Sequence, residues 1–208
     1  MATFKPYSQR ITTLVPSCLG YRLLPFSLGQ SLALKSSKSK FTSGEYNSLC
    51  DINYIAEALV NDHSLIPEFV FAVLVCSTTY DEFMSECGNG NIASSVEEVI
   101  KHIKDNKINL LFEIHTFAHY LKSGTDAPLY KVKEDDKDSV TTNPVEAEEA
   151  ILSTLMSECG YTRDECLNLP LTETMSAYLL YAHKMGSIEL ESKEVFELKE
   201  SLKEKGLI

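Results

Sequence analysis

Residues 143–186 read NPVEAEEAILSTLMSECGYTRDECLNLPLTETMSAYLLYAHKMG, and helix start and stop signals follow one another through them almost without a gap. Asn143 can accept from the N–H groups of a first turn, Pro144 stands where a missing donor costs nothing, and Glu146 completes an N-x-x-E box. Gly160 closes this first helix. Thr162 and Glu165 repeat the box, Pro170 ends the short helix that follows, and a run from about Leu171 to Met185 stops at Gly186. The stretch predicts a helical packing module and carries no catalytic pattern.

The chain before it reads the same way. From Lys107 to Gly124 the run INLLFEIHTFAHYLK is apolar on most of its circumference, which predicts a central helix covered by neighbours. Ser95 with Glu98 is placed to cap a helix whose Val96, Val99, Ile100 and Ile103 form one face, broken at Asp105-Asn106. Between Pro67 and Gly88 the sequence is too apolar for periodicity to separate helix from strand, but proline at the start and glycine at the end favour helix. A Thr79/Glu82 box predicts that two helices meet near Ser77 to Thr79. Gly44 to Val60 predicts one helix with the stripe Leu49, Ile52, Ile55, Ala56, Leu59 and Val60. Pro25 starts a turn before a short helix, Ser27 to Lys35, which Gly29 weakens. RITTLV, residues 10–15, has the β-branched content of a short strand.

On the other side, residues 123–142 carry the charge run KEDDKD and no period, as an acidic linker or long loop does. Ser192 is placed to cap a last helix, KEVFELKESLKEK, in which Val195, Leu198 and Leu202 make a narrow apolar seam. Such a seam docks on the parent body or is held out for a partner, and these three residues are the candidate partner-binding set. The expected fold is mainly α. It comprises a helical body (1–122), a linker (123–142), a helical hairpin module (143–186) and a terminal amphipathic helix (187–208), with at most one short N-terminal strand.

A formal charge of −11 argues against a nucleic-acid partner, because phosphate affinity comes from clustered Lys and Arg. The only basic cluster, Lys35 to Lys40, reads as a solvated serine-rich loop. No segment approaches the roughly 18 consecutive apolar residues of a membrane span, and MATFKPYSQR lacks the apolar core of a secretory signal, so the chain is expected to stay where it is made. The six cysteines show no C-x-x-C or Cys/His spacing and read as reduced, mostly buried small hydrophobes.

His115 and His119 fall on one face of the central helix, as two metal ligands would. Thr116 occupies the place where a water-activating glutamate would stand in H-E-x-x-H, and no third ligand is indicated. The spacing reads first as a core or rim pair with bonded ring nitrogens, with a metal-binding enzyme as the alternative. Glu97-Glu98, Glu148-Glu149 and Asp135-Asp136 lie at helix starts or in the linker, where the helix dipole or solubility accounts for them. Gly88-Asn89-Gly90 reads as a turn, and no nucleophile elbow is present. No cofactor is expected. The pentapeptide MSECG, at 84–88 and 156–160, reads as two similar helix ends with Met and Cys inward and glycine as the left-handed cap.

Three motifs in order carry a family resemblance: LLPFSLGQSLAL (23–34), FVFAVLVCSTTY (69–80) and the stretch that opens this section, in particular Leu167 to Leu180. Together they resemble small helical tail assembly chaperones of tailed bacteriophages and prophages. The resemblance covers about half the chain and leaves residues 89–142 and the last twenty unmatched. It implies a non-enzymatic protein in the cytoplasm of an infected bacterium that binds the apolar-rich, helical tape-measure protein and keeps it soluble. A minor structural component of the tail or connector is the alternative. The family has no catalytic residues to carry over.

Overall fold

The computed structural model describes residues 16–42, 45–125, 130–132, 147–190 and 201. Among them the fold is mainly α, with nine α-helices and two short two-stranded sheets. Contacts divide the chain into two units, Met1–Asp126 with Asp164–Thr172, and Ala127–Arg163 with Glu173–Ile208. The expected strand at 10–15, the Asn143/Glu146 box and the seam Val195, Leu198 and Leu202 all lie outside the described residues.

The first unit opens with β1 (Ser17–Cys18) and β2 (Tyr21–Arg22), an antiparallel pair joined by Leu19 and Gly20. Both turn residues have positive φ, +52° and +83°, the twist a two-residue hairpin needs. Next comes α1 (Leu28–Ser36), whose N-terminus is closed by a reciprocal box between Ser27 and Gln30. A 3-10 turn (Glu45–Cys50) and α2 (Ile52–Asn61) replace the single helix expected over 44–60. The break is at Asp51, whose carboxylate accepts from the Asn53 N–H and so starts a new helix.

α3 (Leu65–Ser77) and α4 (Tyr80–Gly88) meet where the sequence placed the junction, with the Thr79/Glu82 box formed in both directions. Gly88 is still helical, and the left-handed residue is Gly90 (φ +73°). Met84 and Cys87 are exposed, as are Met156 and Cys159 in the second copy, so the inward placement expected for MSECG is incorrect. These helix ends are solvated, and only Phe83 of α4 is buried. α5 (Ile92–Asn106) starts at Asn91, one turn before the expected Ser95 cap, because Ile92 and Val96 extend its half-buried face. α6 (Leu110–Gly124) is the expected central helix.

The core of this unit lies between α3 and α6. Phe41, Phe69 and Phe117 form a triangle with ring centroids 5.5–5.8 Å apart, and Tyr120 packs against Phe117 and Phe26. The Tyr120 hydroxyl donates to the Leu24 carbonyl at 2.6 Å. Burial, with the neighbouring Cys76 thiol, raises that phenol well above its ordinary range.

α8 (Arg163–Asn168) and the Pro170 corner complete the unit. Leu28 N–H donates to Leu169 O, Leu171 N–H to Phe26 O at 2.7 Å, and Tyr80 N–H to Asn168 Oδ1. From the other side, Leu24 N–H donates to Cys76 O and Gln30 Nε2 to Thr78 O. The stretches around 24–30, 76–80 and 167–171 therefore meet at one place. Gly29 sits inside it: a Cβ there would lie 2.6 Å from the Tyr80 ring and 2.8 Å from Leu167 O. The glycine that weakens α1 locally is what lets two other segments reach it.

In the second unit α7 (Ala147–Glu158) buries Ile151 and Leu155 and ends at Gly160 (φ +76°), as expected. α9 (Leu171–Lys184) ends in a turn at Gly186 (φ +83°), with the unit boundary just after its second residue. β3 (Tyr130–Val132) pairs antiparallel with β4 (Ile188–Leu190). Part of the region read as a structureless linker is thus a strand, stabilised by a partner far along the chain that no local pattern reveals.

Candidate functional site

α2 is apolar along most of its length, yet only Ile55 is buried. Ile52, Ala56 and Val60 recur every fourth residue and so share one face. All three are exposed, Ile52 at 48% and Val60 at 74%. The helical period read from the stripe holds in α2, and these three of its residues lie on the exposed side. Asp51 and Glu57 edge the helix, which contains no Lys or Arg. At its far end Asp62 pairs with Lys40, whose ammonium also lies 3.1 Å from Ser64 Oγ and 3.9 Å from Glu68. Hydrogen bonding to Lys40 and Ser64 holds the Asp62 carboxyl down to about 2. Lys40 is therefore tied to acidic neighbours and does not form part of an open basic loop.

On α6, burial of Ile114, Phe117, Ala118 and Leu121 turns the opposite side outward. That side carries Phe112, 61% exposed, with half-buried His115 and exposed His119. The two ring Nε2 atoms are 3.2 Å apart. The expected bonding of the rings is realised between the histidines themselves, and among the described residues no group of three His, Cys, Asp or Glu could hold a metal.

A cleft of about 420 Å³ opens between the β1–β2 turn and α5, lined by Leu19, Gly20, Tyr21, Glu98, Val99 and His102. Its polar groups are exposed, and Asn106 Nδ2 bonds the His102 ring at 3.0 Å. None of its lining side chains is a Ser, Cys or Lys nucleophile, and its polar groups do not converge in a buried pocket. Below it Glu113 accepts from Leu19 N–H at 2.8 Å, and Cys18 and Cys76 are buried with their thiols pushed far up by desolvation. All six cysteines are described and none is in a disulfide; Cys166 is also buried, Cys50 half-buried, and Cys87 and Cys159 exposed. Sequence reasoning missed the Leu19–Glu113 contact, for which no local signal exists.

Among the described residues no single helix is long and apolar enough to cross a membrane; α2 and α3 together reach that length only across a bend of 119°. No protein-family model, curated protein or solved structure matches the chain.

Proposed function

We propose that this chain is a non-enzymatic helix-binding protein of the phage tail assembly chaperone kind, acting in the cytoplasm of an infected bacterium on the tape-measure protein. The observation that carries the reading is α2, an apolar helix with Ile52, Ala56 and Val60 facing outward. An exposed apolar stripe of this length with an acidic edge suits an amphipathic partner helix flanked by basic residues. The net charge of −11 would keep such a complex dispersed. The order of the Leu24–Gly29, Phe69–Ser77 and Leu167–Leu180 motifs adds the resemblance to the family.

The test is co-expression with the longest adjacent tail gene, followed by pull-down and a solubility assay. The parent chain is expected to bind and solubilise that product, and Val60→Asp to lose both while melting like the parent. Failure of the parent to do either rejects the reading. Recovery of the polypeptide from purified particles would favour a structural tail component instead.

A further inference from the structure

We propose that His115 and His119 form a two-point chelate for a borderline divalent transition-metal ion of the Cu²⁺, Ni²⁺ and Zn²⁺ class. With metal–nitrogen bonds of about 2.0–2.1 Å, two adjacent ligands of a tetrahedral or square ion lie roughly 2.9–3.4 Å apart. The Nε2 atoms are already 3.2 Å apart, with ring centroids at 4.5 Å and planes at 66°. Neither ring has to be brought in from elsewhere in the fold.

The two ligands are also held by a rigid element. Both belong to α6, one turn apart, and the helix is anchored along its other side by Ile114, Phe117, Ala118 and Leu121. Without metal, one ring donates its Nε2–H to the Nε2 of the other. The ion takes the place of that proton, and the ring that gave it up is protonated at Nδ1 instead, so the exchange of tautomer releases no net proton. No Asp, Glu or Cys among the described residues joins the pair. The remaining coordination positions therefore fall to water, which makes the site a chelate and not a closed structural centre. The acidic net charge favours cation approach, and the Irving–Williams order makes Cu²⁺ the tightest of the class.

This proposal is independent of the helix-binding reading, and either survives failure of the other. It is tested on the full untagged chain by calorimetric titration with Ni²⁺ and Cu²⁺. Exposed Cys87 and Cys159 offer competing soft ligands, so the background is Cys87→Ser/Cys159→Ser. One ion per chain is expected, together with a metal-dependent rise in Tm. His115→Ala and His119→Ala should each weaken binding at least about tenfold, because either change removes the intramolecular second ligand. Both variants should melt like the parent without metal, since the two side chains lie outside the core. Absence of saturable binding, or equal binding by the histidine variants, would overturn the proposal.

Discussion

The backbone N–H of Leu19 donates to the Glu113 carboxylate at 2.8 Å, across 94 residues of sequence. Leu19 is buried in a left-handed conformation, φ +52°, which a bulky side chain adopts only when its surroundings fix it. The contact thus ties the hairpin turn to the start of α6. Glu113→Ala is expected to destabilise by about 1–2 kcal/mol in urea denaturation, as loss of a part-buried charged acceptor does. An unchanged midpoint would show that the turn holds without it.

Leu19→Gly separates strain from burial at the same place. Relief of the left-handed backbone is worth about 1–2 kcal/mol, whereas deleting a buried leucine side chain costs about 3–5 kcal/mol. Burial wins, and a net loss of roughly 2 kcal/mol is the expected result. A stabilised variant would mean that the side chain contributes little packing.

Two glycines inside helices should respond in opposite directions to alanine. At Gly88 a Cβ meets nothing within 4 Å, so Gly88→Ala should gain about 0.5–1 kcal/mol from helix propensity. At Gly29 the same change drives a methyl into the Tyr80 ring and the Leu167 carbonyl, and overpacking should cost about 1–3 kcal/mol. Thermal melts of the pair decide it, and a shift of the same sign in both would contradict the packing described around Gly29.

The Lys40–Asp62 pair predicts a pH dependence. The Asp62 carboxyl, ordinarily near 3.8, is held at about 2 in the folded chain. A folded value below the unfolded one means that its stabilisation is present above about pH 4 and is lost as pH falls toward about 2. The parent should therefore lose its advantage over Asp62→Asn across that window, as followed by denaturation at stepped pH. Parallel curves for the two proteins would remove the pair from the account.

Leu155 is fully buried in α7. Leu155→Asp places a charge there with no compensation and should unfold the second unit, seen as lost helical ellipticity and an early melt. Unchanged melting would refute the register of α7.

Local signals were reliable wherever a local contact decides the outcome. The Thr79/Glu82 box, the Gly160 and Gly186 turns and the inward face of α5 at Val99 and Ile103 are set by neighbours a few residues away, so the sequence displays them. Asn91 shows the limit: it starts α5 one turn before the Ser95 signal, with Ile92 on the added turn half-buried as Val96 is, and Asp51 starts α2 inside a stretch read as a single helix. The Tyr130–Val132 strand depends on Ile188–Leu190 and has no local signature. For the candidate surfaces, spacing placed His115 beside His119 and aligned Ile52 with Val60. It could not say that the second stripe is exposed, because periodicity records which residues share a face and not what lies against it.

The meeting of Phe26–Gly29, Tyr80 and Leu167–Leu171 also bears on synthesis. A chain emerging from the ribosome holds α1 and α4 early, but the segment that fills the space beside Gly29 arrives only when translation has passed Leu171. Long-range closure of this kind is slow and leaves apolar surface open in the interval. α7 has by then been made, so the first unit stays open while the start of the second emerges.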